Sequence, residues 1–136
     1  MDMKKLNAQL IDHEGLHLKP YRYTAGKLTI GVGRNLDDVG ISEKEAMFIL
    51  NNDIEDCLKD VLEIFPNFST LSNNRQMAIV DMRFNLGPST FRKFKKLITA
   101  VKHEDWDAVG SSMKNSRWYG QVGNRAIKLR YMMLTG

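Results

Sequence analysis

Between Leu16 and Val32 apolar residues recur at about every second position, and on either side of that stretch they recur at every third or fourth. A period of two lines one face of a strand, and a period near 3.6 lines one stripe of a helix. The chain is therefore constrained to carry one small sheet on a body of helices. The change of period falls at Glu14-Gly15, the reversal at Thr24-Ala25-Gly26, and the return strand ends in Gly31-Val32-Gly33. A carboxylate stands where helix and sheet join, a natural position for a cleft. The implied class is α+β and mostly α.

At 136 residues the chain is expected to form a single domain with a genuine core. Its 43% hydrophobic and 26% charged residues are ordinary for a soluble globular protein, and no apolar run is long enough to span a bilayer. Asn7, Gln9, Asp12 and His13 interrupt any signal-peptide core behind the charged start. A protein made in the cytoplasm, without a cleaved export signal, is expected. Cys57 is the one cysteine, so no intramolecular disulfide can form, and its neighbours Ile54, Leu58 and Val61 read as a packed helix face. The net charge of +4 and a pI near 9.2 suit a polyanion. Nucleic acid, an acidic membrane and a bacterial wall all qualify on that ground.

Helices are expected from Met3 to about His13 behind an Asp2 cap, and from a Ser42/Glu45 capping box to Ile64. A third runs from Asn73 to Leu86, is apolar around most of its circumference, and is stopped by Gly87-Pro88. Phe91, Phe94, Leu97, Ile98 and Val101 mark one further amphipathic helix, with shorter ones at Asp105–Met113 and Asn124–Leu134. The hairpin strands are expected near Leu16–Tyr21 and Lys27–Val32, the first an edge strand because of Pro20. The expected organisation is a sheet lobe at about 14–41, a linking helix at 42–64, and a helical lobe from 1–13 and 65–136.

Most motif-like features reduce to structure. Gly31-Val32-Gly33 lacks the third glycine and the parallel sheet of a nucleotide loop. Asp37-Asp38 lacks calcium-loop spacing, and His13, His17 and His103 share no metal-ligand spacing. Arg92, Lys93, Lys95 and Lys96 surround the core-like Phe91 and Phe94, so they read as a solvated face and not a DNA-recognition helix. Glu14 stands apart. Hemmed by Leu16, Leu18 and the sheet, a carboxyl loses hydration, and such an environment suits a general acid. A structural glutamate paired with an arginine fits the same position.

The residues E-G-L-x-L-K-x-Y from Glu14 and T-x-G-x-x-T-I-G-x-G from Thr24 resemble the active-site segment of the phage T4-type lysozymes, the muramidases among phage endolysins. Glu45-Ala46, Asn51-Asn52-Asp53, Phe84-Asn85-Leu86-Gly87 and Ser116-Arg117-Trp118-Tyr119, with Gln121 and Asn124-Arg125-Ala126, continue the resemblance in order along nearly the whole chain. It implies a lysozyme-like fold, bacterial peptidoglycan as partner, and hydrolysis between N-acetylmuramic acid and N-acetylglucosamine with inversion. It implies no metal or organic cofactor, no nucleic acid, no membrane insertion, a monomer, and release to the wall at host lysis.

The family's catalytic pattern is Glu, eight residues, Asp or Cys, five residues, Thr. Glu14 and Thr29 match it, and Tyr23 occupies the middle place. Asn85, Arg125 and Gly31 correspond to substrate-side positions, with Arg125 expected to pair with Glu14. Arg34, in place of a usual histidine, is expected to pair with Asp53, and Trp118 and Tyr119 to pack internally. In an inverting glycosidase the second carboxylate deprotonates the attacking water. A phenol ionises near ~10 in water and is a poor base at neutral pH. Lys19, Arg22 and Lys27 are close enough in sequence to favour a phenolate, and Asp37 or Asp38 could substitute as base. Three outcomes are open: a muramidase of reduced or altered activity, a lytic transglycosylase working with one glutamate, and a non-catalytic peptidoglycan-binding protein.

Overall fold

The computed structural model describes residues 1–136. It is mostly helical with one small antiparallel sheet, as the periodicity requires, and that sheet has three strands. Met1–Phe48 and Ile49–Gly136 are two compact units.

The first unit opens with α1 (Met3–Glu14). Its Asp2 cap accepts from the Lys5 N–H at 3.0 Å, and Gly15 closes it at φ +81° by donating to Ile11 O at 2.8 Å. Strands β1 (His17–Arg22), β2 (Leu28–Gly31) and β3 (Arg34–Asn35) follow in spatial order. Tyr21 pairs with Thr29, and Thr29 with Asn35. The register between His17 and Tyr21 is irregular, on an edge strand, where Pro20 cannot donate to a ladder. β3 was not expected, because two residues carry no readable period.

Helix α2 (Glu43–Ile64) begins with the anticipated capping box. Ser42 N–H donates to Glu45 at 2.9 Å, and Glu45 N–H donates to Ser42 Oγ at 3.1 Å. The same Glu45 oxygen accepts from Arg34 at 2.8 Å. Arg34 therefore has a carboxylate partner within the first unit, at the helix start. Hydrogen bonds from Arg34 and then Ser42 lower the Glu45 pKa to about 2.

The second unit holds the core. Helix α3 (Asn73–Leu86) has the predicted bounds, its Ser72 cap accepting from Arg75 N–H at 3.2 Å. It is not buried all round. Ala78, Ile79, Met82 and Arg83 face inward, while Met77 and Phe84 stay exposed. Arg83 takes an inward place because Asp60 accepts from its Nε at 2.5 Å. Arg92 also pairs with Asp60. Burial pushes the Asp60 carboxyl up, and hydrogen bonds from Arg92 and Arg83 outweigh it, leaving the pKa below the usual carboxylate value.

The single helix expected through Phe91 and Val101 is two, α4 (Pro88–Arg92) and α5 (Lys95–Lys102). Six residues of continuous helix would turn Leu97 about 120° away from Phe91. A break at Phe94 (φ −77°, ψ 60°) lets both bury. Helices α6 (Trp106–Lys114), α7 (Arg117–Val122) and α8 (Asn124–Thr135) complete the unit. Helix α7 was read only as an aromatic pair; Ser116 caps it, accepting from Tyr119 N–H at 3.2 Å. Trp118 is buried and meets Phe94 edge-on, and Cys57 is buried as expected.

Candidate active site

Glu14 ends α1, so its backbone is fixed by the Gly15 cap while its side chain is free to project. The carboxylate lies over Gly33, where an added Cβ would stand 2.8 Å from Glu14 Oε2. Gly33 turns the β2–β3 connection at φ +69°, a conformation open to glycine without cost. Glu14 and Gly33, with Asn7, Leu10, Ile11 and Val32, line an open groove of about 460 Å³. The expected apolar hemming is absent: Leu16 and Leu18 are 58% and 83% exposed, and Glu14 itself is exposed. Bulged β1 sits at the edge of the sheet, so neither leucine is covered.

Thr29 is 5% exposed on β2, and its hydroxyl donates to Lys27 O at 3.0 Å. A hydroxyl has one proton, so this bond leaves Oγ1 with acceptor capacity alone. Tyr23 flanks the β1–β2 turn, where its N–H donates to Lys27 O at 2.9 Å and its carbonyl accepts from Gly26 at 2.7 Å. Tyr23 is 56% exposed. Two of the neighbouring cations are engaged elsewhere. Arg22 donates to Gly26 O at 3.1 Å, and Lys27 pairs with Asp38 at 3.1 Å.

The two loop aspartates are structural. Asp37 accepts the Leu28 N–H at 2.8 Å, closing the sheet end. Asp38 accepts from Lys27 and Asn35, and the Lys27 hydrogen bond holds its pKa below the ordinary carboxylate value.

A second set of residues belongs to the same sheet. Cross-strand partners share a face, and so do alternate residues of one strand. Tyr21 pairs with Thr29 and His17 with Gly31, so His17, Tyr21, Thr29 and Gly31 lie along one face. The His17 and Tyr21 rings are 4.2 Å apart at 42°. The imidazole folds back over Gly15, where an added Cβ would lie 3.0 Å from Nε2. Nothing comes within 4 Å of the place a Cβ would take on Gly31. By sequence His17 is only a failed metal ligand, because its pairing crosses a register shift.

Asn85 and Arg125 belong to the helical unit. Asn85 is exposed, its Oδ1 accepts from Trp118 Nε1 at 2.8 Å, and its NH₂ makes no hydrogen bond within the protein. Arg125 donates through Nε to Asp81 at 2.8 Å. Both Asp81 and Arg125 border a groove of about 500 Å³ with Ile54, Met77 and Phe84.

A small antiparallel sheet with a glutamate at its helix junction, followed by a helical body, is the arrangement of a lysozyme-like protein. The chain belongs to the phage lysozyme family, whose profile matches residues 11–130. It is 28% identical to the pre-baseplate central spike protein Gp5 of Enterobacteria phage T4, over 90% of this chain but 26% of Gp5. The chain thus spans about a quarter of that relative's length. It is 25% and 28% identical to probable T4-type lysozymes 2 and 1 of Dictyostelium discoideum, each over 90% of this chain and 89% of the relative.

Proposed function

We propose that residues 1–136 act as one lysozyme-like domain that hydrolyses the β-1,4 bond between N-acetylmuramic acid and N-acetylglucosamine in bacterial peptidoglycan. Glu14 is the general acid, protonating the leaving glycosidic oxygen. Thr29, its own proton committed to Lys27 O, accepts a hydrogen bond from the attacking water and holds it. Gly31 leaves room for the sugar; Asn85 offers its free amide NH₂ and Arg125 its guanidinium to the substrate. The observation that carries this reading is the Glu14 carboxylate standing against Gly33 in an open groove, in a chain of the phage lysozyme family. The protein is expected to work as a monomer that reaches the wall at host lysis. No helix is long and apolar enough to cross a membrane.

Tyr23 supports a second reading, a peptidoglycan-binding protein that does not cleave. Its exposed phenol stands where the family pattern has a carboxylate or thiol. Mass analysis of digested purified peptidoglycan separates the two. New reducing ends with this protein, absent with Glu14→Gln, support hydrolysis. Anhydro ends would point to a transglycosylase, and binding without cleavage would favour the second reading.

A further inference from the structure

A hydrolase built on Glu14 needs a base for its water, and Tyr23 is poorly suited to that task. The sheet carries another candidate. The Gly31-Val32-Gly33 turn has the Glu14 carboxylate over Gly33 and His17 as the cross-strand partner of Gly31. Residues two apart are separated by at most about 7 Å of chain. Acid and imidazole are thus tied to the two glycines of one short turn. His17 also shares its face with Thr29, and the absent side chain of Gly31 leaves open space beside it. Tyr21 packs against the ring at a tilt of 42°, and Gly15 leaves room for it.

Resting on the muramidase reading, we propose that His17 is the general base of this protein, doing what the family's second carboxylate does elsewhere. Water held at Thr29 attacks the anomeric carbon, forming the new C–O bond as the C1–O4 bond breaks. The Glu14 proton goes to O4, and the proton lost by water goes to an imidazole nitrogen of His17. Solvent then returns a proton to Glu14 and removes one from His17, which restores both groups.

The experiment measures reducing ends from peptidoglycan for the parent, Glu14→Gln, His17→Ala, His17→Gln, Tyr23→Asp and the His17→Ala/Tyr23→Asp double variant, with folding checked by circular dichroism. Expected are an active parent, an inactive Glu14→Gln, and a loss of about 10²–10⁴-fold in both His17 variants. Added imidazole should partly restore His17→Ala, and Tyr23→Asp should make His17 dispensable. Unchanged activity in His17→Ala overturns the proposal. So does an equal loss in both backgrounds without imidazole rescue, which marks a structural role. A silent parent with an active Tyr23→Asp overturns His17 as base while keeping the muramidase frame. Silence from the parent and from Tyr23→Asp removes the muramidase reading itself.

Discussion

The indole N–H of Trp118 donates to Oδ1 of Asn85 at 2.8 Å, which fixes the amide so that its NH₂ group remains available. A buried residue of α7 thereby orients an exposed residue of α3. Trp118→Phe keeps most of the ring and removes the donor. It should cost about 1 kcal/mol in urea unfolding. If Asn85 contacts substrate, KM for soluble peptidoglycan fragments should rise with little change in kcat.

Gly33→Ala should separate backbone strain from displacement of the acid. A Cβ at φ +69° is unfavourable by about 1–2 kcal/mol, and here it also meets the Glu14 carboxylate at 2.8 Å. Gly26 has a similar φ of +78° and no neighbour within 4 Å. Gly26→Ala should lower the melting temperature and spare activity, while Gly33→Ala should lower both.

Asp60 neutralises Arg83 inside the helical unit, with both side chains close to 10% exposed. Asp60→Ala strands a buried guanidinium and should cost about 3–5 kcal/mol in denaturant unfolding. Arg92, on the same carboxylate but 42% exposed, should cost about 1 kcal/mol or less as Arg92→Ala.

Glu45 sets a pH signature. Its folded pKa is lowered to about 2 from 4.5, so the stability it confers is present above about 4.5 and lost as pH falls through about 2. The melting-temperature gap between the parent and Glu45→Gln should be constant from pH 7 to 5 and close between pH 4.5 and 2.

The sequence was most readable where punctuation and pattern agreed. Ser72 and Gly87-Pro88 bracket α3, and Asp2 and Gly15 bracket α1, so those helices were legible to within a residue or two. β3 was not, since it exists only through pairing with β2. The break before Lys95 was hidden because Phe91, Phe94 and Leu97 satisfy a helical pattern locally; burial of the whole unit decides it. Glu14, Tyr23 and Thr29 are picked out by motif alone, and the structure adds the hydrogen bond that spends the Thr29 proton. His17 escaped because its relation to Gly31 is a matter of register across a bulged strand, which no local spacing encodes.

Cys57 lies on α2 with 3% exposure, its sulfur 3.6 Å from Arg83 Nη1, and burial pushes its thiol pKa up. A thiol reagent needs the sulfur both uncovered and ionised. With one thiol per chain, the labelling rate becomes a built-in stopwatch for the parting of α2 from α3, with no second site to blur the signal.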